Sequence, residues 1–365
     1  MRVNLRVLIT NLILDQGTGS EMYVADLAVE LQALGHTPIV YSPRTGPLAR
    51  TLELRGICVI HDLERFDGPP DVIHGHHTLE TIAAALRFPY TPCLFVCHDC
   101  SAWHDTPPDL PNIIRYVAVD RACYDRLVIQ AGVPESRCSI LTNGVDLGRF
   151  RLRSSLPEKP TSILCFGYEY DLAFLEWLNQ CTGLQVAAIG RGTSNGYVND
   201  PSEVLHRFDI VLAKGRSARE AIATGAVTIV AERDRLGGLV TMENYERQEI
   251  NNFGRRLLNR PYSNDILLDV LSQYNTSDAM TVAQHHREQT NLFRRVHQLL
   301  EIYEQMIGVW DANSYRADEF RIKCVKWVEW ASVHANRELP ARPIEFPRPK
   351  MQTPVVSAQE IATSP

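Results

Sequence analysis

The chain has 365 residues, of which 45% are hydrophobic and 22% charged, so it can bury substantial cores and is not disordered throughout. It carries 37 lysine and arginine residues against 43 aspartate and glutamate residues, a formal net charge of −6 at pH 7. This balance argues against nucleic acid as a partner, because nucleic-acid-binding domains concentrate positive charge against phosphates. The length allows two globular domains.

The N-terminus predicts a buried strand. The apolar run over residues 7–14 is interrupted by Thr10 and Asn11, and no Ala-x-Ala site follows, so a signal peptide is not expected. No stretch has the roughly eighteen consecutive apolar residues of a membrane-spanning helix. The nine cysteines are scattered along a long chain, which favours free thiols in a reducing cytoplasm.

Residues 1–150 alternate short apolar runs with amphipathic segments, which predicts a Rossmann-like α/β domain. Its strands are predicted over residues 7–14, 39–41, 72–74, 93–98 and 116–119. The first helix ends before Gly35 and carries its apolar residues on one face: Val24, Leu27, Ala28, Leu31 and Leu34. Such a repeat forms a parallel sheet with helices on both faces, and ligands bind at the carboxyl ends of its strands.

The pattern stops at residues 151–161, where apolar periodicity is lost and prolines appear, and this segment is predicted to be a linker. It restarts over residues 162–280, which predicts a second Rossmann-like domain that faces the first across a cleft. Strands are predicted over residues 162–166, 185–189, 209–213 and 226–231, and helices over 171–180 and 217–224. Helices are expected to continue over residues 281–336, and the proline-rich residues 339–365 are predicted to be a disordered tail.

Two glycine-containing turns are candidate phosphate sites. The first opens the first helix: Gly17, Thr18, Gly19 and Ser20. Free N–H groups and the positive helix end favour an anion there, although a tight turn with Ser20 as the helix cap explains the same residues. The second follows the strand at 209–213: Lys214, Gly215, Arg216 and Ser217. Its two cations favour a diphosphate site over a solvated loop capped by Ser217.

Two further side chains are candidates for substrate contact. Glu220 lies one turn inside the helix after the second turn, where a carboxylate can accept hydrogen bonds from a ribose diol or simply complement the helix dipole. His98 closes the strand at 93–98, so its imidazole is expected at the functional edge of the first sheet. The alternative for His98 is a polar residue tied to a neighbouring backbone group.

A metal site is not expected. Cysteines and histidines gather between His74 and His104, but no second Cys-x-x-Cys completes a four-ligand zinc set. Cys93 and Cys97 share one face of a strand, where cysteine behaves as a small buried hydrophobe. No Asp-x-Asp motif is present to clamp a metal-bound nucleotide, and no cofactor is predicted.

Several segments share the features of one family. They are Asp71-Val-Ile-His-Gly-His76, Cys97-His-Asp99, residues 117–146 ending in Asn143-Gly-Val-Asp146, and Glu220-Ala-Ile-Ala-Thr-Gly-Ala-Val227 followed by Gly237-Gly238. Together they resemble the retaining glycosyltransferases with the GT-B fold in the large family-four group. The resemblance extends over about residues 5–258, and it implies two facing Rossmann-like domains with a C-terminal helical extension.

The resemblance also implies an activity: transfer of a sugar from a nucleotide diphosphate donor, with retention at the anomeric carbon and without an obligatory metal. It implies that His98 lies beside the transferred sugar and that Glu220 holds the ribose. Gly17 and Gly19 match the glycine loop near the diphosphate. Asn143 and Gly144 match a segment that lines the cleft.

The sequence departs from the family at the donor site. Leu212 stands eight residues before Glu220, where the family has its first glutamate. The segment at 166–171 lacks the usual Gly-Arg and Lys. We therefore expect Lys214 and Arg216 to supply the missing cations, since a departing diphosphate needs positive charge.

Two other functions fit the same features. One is a nucleotide-sugar epimerase or hydrolase with a similar fold, and the other is an inactive binding protein, which the missing donor residues favour. The expected acceptor is a carbohydrate or a lipid-linked molecule. Residues 317–336 form a basic amphipathic helix that could contact the inner membrane face, but packing on the first domain is favoured because Glu319 and Glu329 dilute the charge.

Overall fold

The computed structural model describes residues 4–167, 170–190, 192–193, 196, 198, 200–310 and 317–334. These residues form two α/β domains, each built on one sheet, with helices at the C-terminal end of the chain. The predicted tail at 339–365 and the last residues of the predicted segment 317–336 lie outside the described residues.

The first domain contains a sheet of seven parallel strands. The strands are β1 (Arg6–Thr10), β2 (Thr37–Tyr41), β3 (Cys58–Ile60), β4 (Val72–His76), β5 (Cys93–Cys97), β6 (Ile113–Ala118) and β7 (Cys138–Ile140). Their order is β3-β2-β1-β4-β5-β6-β7, so the order reverses between β1 and β4. In sheets of this kind, ligands bind beyond the carboxyl ends of the strands at that reversal.

Four helices surround this sheet: α1 (Gly19–Ala33), α2 (Pro47–Leu54), α3 (Thr78–Arg87) and α4 (Arg121–Asp125). The face of α1 that was predicted to be apolar is buried, because Val24, Leu27 and Leu31 pack on the sheet. The first strand is shorter than predicted: β1 ends at Thr10, and the polar Asn11 turns the chain into a loop. Strands β3 and β7 are too short to have been detected by alternation.

The second domain contains a six-stranded sheet in the order β13-β12-β11-β10-β8-β9. Its strands are β8 (Ser162–Phe166), β9 (Gln185–Ile189), β10 (Ile210–Ala213), β11 (Val227–Ala231), β12 (Arg235–Leu239) and β13 (Arg260–Pro261). Strands β8 to β11 are parallel, whereas β12 and β13 add an antiparallel edge that the sequence pattern did not predict. The helices are α5 (Leu172–Thr182), α6 (Pro201–Leu205), α7 (Gly215–Ala223), α8 (Tyr245–Glu249), α9 (Asn264–Ser272) and α10 (Thr276–Thr290).

The C-terminal helices do not form a unit of their own, which corrects the predicted segment 281–336. The stretch breaks at Asn291 into α10 and α11 (Leu292–Val309). Helix α10 buries Ala279 and Val282 in the cores of the second domain. Helix α11 returns to the first domain and buries its apolar stripe there: Val296, Leu299, Leu300, Tyr303 and Met306.

The last described helix, α12 (Ala317–His334), also packs on the first domain. Phe320 is buried in that core, and Cys324 and Trp327 pack against it. The apolar face that could have bound a membrane is therefore used in packing, as the sequence favoured. None of the helices in the described ranges is long and apolar enough to cross a bilayer.

Candidate active site

A cleft of about 1380 Å³ separates the two domains. It is lined from the first domain by the loop after β1, by His98 after β5 and by Asp120 after β6. From the second domain it is lined by Gly167 after β8 and by Lys214 after β10. Both sheets thus present the carboxyl ends of their strands to one space, as the α/β pattern predicts.

The first glycine turn is arranged differently from the prediction. Gly17 and Gly19 line the cleft, but Thr18 and Ser20 do not. The buried carboxylate of Glu21 accepts hydrogen bonds from the N–H of Asp15 at 2.7 Å, the N–H of Gly17 at 3.0 Å and the Thr18 hydroxyl at 2.7 Å. Helix α1 begins at Gly19, so Ser20 is not its cap.

Glu21 limits which ligands this turn can bind. Its carboxylate already occupies the N–H groups that a phosphate would need, and it adds negative charge beside them. The part of the turn that faces the cleft therefore offers backbone and the N-terminus of α1 instead of a dedicated anion cradle. Thr18 and Ser20 were predicted to bind the donor, but they do not line the cleft and instead hold the loop and its surroundings.

His98 lies where the sequence placed it, at the cleft edge of the first sheet. Its Nε2 is 2.6 Å from Nδ1 of the buried His76, and its backbone N–H donates to Asp105 at 3.1 Å. Behind His76, the ring of His74 lies 4.6 Å away, and Nδ1 of His74 is 2.5 Å from the hydroxyl of Tyr303 on α11. His98 is thus the cleft end of a row of side chains that runs into the core.

Burial keeps this row uncharged. It lowers the pKa of His98 to about 4, and it lowers the pKa of His74 to about 3, with the neighbouring imidazoles adding to the effect. Burial likewise raises the pKa of Tyr303, so its hydroxyl keeps its proton while it hydrogen-bonds to Nδ1 of His74. At neutral pH, His98 is therefore a neutral imidazole whose Nε2 contacts His76, which leaves Nδ1 to donate or accept one further hydrogen bond.

The second glycine turn has the geometry of an anion site. Helix α7 begins at Gly215, two residues earlier than predicted, so Ser217 lies inside it and does not cap it. Gly215 has φ +58°, in the left-handed region that favours glycine, and its N–H donates to the carbonyl of Phe253 at 2.9 Å. The next first-turn N–H groups, those of Arg216 and Ser217, have no carbonyl to bond within the helix and lie at the cleft.

Two cations lie beside these N–H groups. Lys214 precedes the helix, and Arg255 lies in the segment that crosses from the second domain toward Asp99. Burial and the positive charge of Arg255 lower the pKa of Lys214 to about 8. An anion between them would relieve this repulsion. Lys214 also contacts the carboxylate of Glu232, and Arg255 lies 3.6 Å from Asp99.

The side chain of Arg216 does not reach toward this anion site, which corrects its predicted role. Its guanidinium forms ion pairs with Asp26 of α1 and with Glu220 of its own helix, the latter at 2.7 Å. The three side chains are largely buried and join the two domains. Arg216 therefore presents only its backbone N–H at the cleft and uses its charge in an interdomain contact.

The known proteins to which this chain is similar share one fold. Residues 17–149 match the family described as Glycosyltransferase Family 4. The structure resembles HepE from Anabaena in complex with UDP-glucose, with a TM-score of 0.60 and 16% identity over 82% of this chain and 100% of that one. It also resembles a glycosyltransferase from Rickettsia africae, with a TM-score of 0.58 and 14% identity over 83% and 99%.

A third structure, the lipopolysaccharide outer core galactosyltransferase WaaB in its apo form, has a TM-score of 0.54 and 13% identity over 82% of this chain and 100% of that one. A sequence search of curated proteins finds no match. The family match lies within the N-terminal domain, and the structural matches show that the chain has the GT-B fold.

In this GT-B structure Asn143 and Gly144 do not line the main cleft, which corrects another expectation. The carbonyl of Asn143 accepts a hydrogen bond from the buried Arg219 at 3.3 Å, behind α7. A Cβ on Gly144 would lie 2.9 Å from the Cα of Leu292, so glycine is required for the close approach of α11. The segment joins the domains and supports the cleft from behind.

Sequence reasoning missed several charged residues of the GT-B cleft. Among the described lining residues are seven carboxylates and six cationic side chains, and most of the cations are paired, as Arg149 is with Asp200 at 3.1 Å. Arg255 is the most important omission. It follows the consecutive left-handed residues Asn252 and Phe253, and nothing in the sequence pattern marks that strained segment as part of a site.

Proposed function

We propose that the protein is a retaining glycosyltransferase that moves a sugar from a nucleotide diphosphate donor to an acceptor hydroxyl, without an obligatory metal or other cofactor. The observation that carries the proposal is the pairing, across one cleft, of a cationic helix N-terminus with a neutral histidine. The first suits a leaving diphosphate, and the second suits an uncharged sugar. The match of residues 17–149 to a glycosyltransferase family supports this assignment of donor and sugar to the two domains.

The leaving diphosphate lies at the start of α7 in this proposal. Lys214 and Arg255 supply positive charge, and the N–H groups of Arg216 and Ser217 supply donors that need no reorganisation. This charge stabilises the bond-breaking transition state, in which negative charge develops on the diphosphate. Glu220 holds the ribose diol from the same helix, although it must then share its carboxylate with Arg216.

The sugar lies against the first domain. His98 donates or accepts a hydrogen bond to a sugar hydroxyl, and its bond to His76 fixes the orientation of the ring. Gly17 and Gly19 allow the sugar and diphosphate to approach the backbone closely. Holding the donor and an acceptor hydroxyl in one cleft supplies the remaining part of the rate through proximity.

The test is a thermal-shift panel of nucleotide sugars, followed by a transfer assay. HepE was solved with UDP-glucose and with UDP and glucose, so uridine diphosphate sugars are the first donors to test. A ligand that binds only the folded state raises the melting temperature. We expect one nucleotide class to do so, also in the presence of EDTA, and we expect an α-linked product from an α-linked donor.

Three outcomes would contradict the proposal. Release of free sugar or of an epimer without any acceptor would indicate the epimerase or hydrolase. Nucleotide binding without turnover on a broad acceptor panel would indicate an inactive binding protein. Loss of nucleotide binding in EDTA, restored by a divalent cation, would overturn the metal-independent donor site.

The acceptor and the location are also proposals. We infer a carbohydrate or lipid-linked acceptor and a cytoplasmic protein, in line with the nine cysteines that stand as free thiols. A peripheral membrane contact would have to use the outer face of α12, where Ile322, Val325 and Val328 are exposed. Sedimentation with anionic liposomes at low salt tests this contact, and a protein that stays in the supernatant rules it out.

A further inference from the structure

Three side chains with metal-ligating atoms converge beneath the first domain's cleft edge. They are His77, at the junction of β4 and α3, and His104 and Asp105, in the single-turn helix after β5. One potential ligand atom from each lies within 4.8 Å of the others. None of the three lines the cleft, so the cluster is separate from the proposed donor site.

The central pair of this cluster is buried. Nδ1 of His77 and Oδ1 of Asp105 lie 3.4 Å apart as an ion pair, and neither atom has a hydrogen-bond partner among the other described residues. The exposed fractions of the two side chains are 6% and 1%. The contact is longer than an ordinary N–H···O hydrogen bond, so both buried atoms keep the capacity to bind a cation placed between them.

Hydrogen bonds hold the remaining side-chain atoms of His77 and Asp105 and the backbone of His104 in place. Nε2 of His77 lies 3.3 Å from the hydroxyl of Ser20, and Oδ2 of Asp105 accepts the His98 N–H at 3.1 Å. The hydroxyl of Thr78 donates to the carbonyl of His104 at 2.9 Å. Metal-binding histidines and carboxylates are usually oriented in this way by a partner on their other atom.

The backbone at His77 is strained. Its φ of 62° and ψ of 145° lie in a region that residues with a side chain rarely adopt. The imidazole of this strained residue contacts Asp105. Strain of this kind persists only where the surrounding structure holds it, and it is concentrated at functional sites.

We propose that His77, His104 and Asp105 bind a divalent transition metal, of which zinc fits best. Two imidazole nitrogens and one carboxylate oxygen are ligands that zinc accepts, with water completing four-coordination next to the half-buried His104. Tetrahedral bonds of about 2.1 Å place two ligand atoms roughly 3.4 Å apart. That is the separation between His77 and Asp105.

The role of this metal is positional. Asp105 links the site to the backbone of His98, so the metal fixes the end of β5 at the cleft without touching the donor. It is not the cysteine-rich zinc set that the sequence disfavours, because none of the three ligands is a cysteine. The site does not depend on the proposed transferase activity.

The experiment is a cobalt titration of the full-length protein after treatment with a chelator. We expect one equivalent of Co²⁺ to bind, with the visible absorption bands of a four-coordinate nitrogen and oxygen site, and zinc to displace it. His104→Gln should lower Co²⁺ affinity at least tenfold. The matched control is His285→Gln, another partly exposed histidine beside a carboxylate, which should leave the affinity unchanged.

A second variant separates the loss of metal binding from a loss of the folded structure. Asp105→Asn keeps the shape of the side chain and an oxygen that can accept the His98 N–H, yet removes the charged metal ligand. It should also lose Co²⁺ binding while keeping the circular dichroism spectrum of the wild type. The proposal is overturned if the wild type binds no Co²⁺, which would leave His77 and Asp105 as a simple ion pair, or if both variants bind it as tightly as the control.

Discussion

The two walls of the cleft differ in the charge of the side chains proposed to bind the donor: a neutral histidine on the first domain and cations on the second. The first-domain wall ends in His98 and is backed by His76 and His74, which burial keeps neutral. The wall of the second domain presents the cations Lys214 and Arg255, whose side chains are 24% and 58% exposed. Charges are costly to bury, whereas a neutral imidazole needs only hydrogen-bond partners. The chemistry that each wall can serve follows from this difference.

A diphosphate and a sugar differ in the same way. The diphosphate gains from charge and from N–H donors, while the sugar gains from neutral donors and acceptors. A domain pair with one charged wall and one neutral wall can therefore orient a nucleotide sugar in only one direction. Four experiments test this contrast.

The largest effect is expected from removing the charged wall. Replacing Lys214 and Arg255 together by alanine should weaken UDP or GDP binding by about 100-fold or more, because each charge-assisted hydrogen bond contributes about 1.5–3 kcal/mol. Titration calorimetry measures the affinity. The matched control replaces Arg233 and Arg235, exposed cations of the same domain that do not line the cleft. Equal affinities in the two double variants would refute the anion site.

Removing the neutral wall should affect turnover and not nucleotide affinity. His98→Ala is expected to lower turnover by about 100-fold, the lower range for a positioned polar side chain, while UDP affinity stays within about twofold. Steady-state rates and calorimetry on the same preparation separate the two effects. His61→Ala, at an exposed histidine of the same domain, serves as the control. A His98→Ala enzyme with normal turnover would remove this residue from the site.

The neutral wall should make the protein sensitive to acid. Unfolded histidine takes up a proton near pH 6.5, but folded His74 stays neutral down to about pH 3, so the unfolded state binds more protons and the free energy of unfolding falls as the pH drops below 6.5. Each such histidine lowers the free energy of unfolding by up to about 1.4 kcal/mol for every pH unit below 6.5. His74→Gln should reduce this slope by that amount in urea unfolding between pH 6.5 and pH 5. An identical slope in the variant would mean that His74 is protonated in the fold.

The charged wall should lose affinity for nucleotides at high pH. Free Lys214 has a pKa lowered to about 8, and a bound diphosphate raises it, so binding takes up an increasing fraction of a proton as the pH rises through 8. Affinity should fall by about twofold from pH 7 to pH 8 and then by up to about tenfold per pH unit. Lys214→Arg should abolish this dependence, because arginine stays protonated. A wild-type profile that is flat to pH 9.5 would place Lys214 outside the binding site.

The sequence predicted the architecture well because periodicity reports burial. Strand β5 is apolar throughout because both faces of the sheet are covered, and the apolar residues of α1 repeat on one face because only that face is buried. The position of His98 followed from the rule that sites lie at the carboxyl ends of parallel strands. The turn before α7 was recognised because glycine and cations together are uncommon at a helix start.

Pairing between distant residues was beyond the sequence. Arg216 was expected to meet a diphosphate, but Asp26, 190 residues earlier, lies beside it in the fold. The sequence pattern does not mark Glu21, although its carboxylate accepts the backbone hydrogen bonds of the first glycine turn. Ion pairs depend on three-dimensional distance, and local composition does not reveal which carboxylate will lie next to which cation.

The sequence by itself determined two parallel-sheet domains, the edge at which ligands bind and the residue types available there, because these follow from local periodicity and chain polarity. The tertiary structure decided which of those residues are free to act. It returned α11 to the first domain, placed Asn143 and Gly144 behind the cleft and brought Arg255 beside Lys214. These outcomes depend on how the two domains pack on each other, and that packing is set by contacts between segments far apart in the chain.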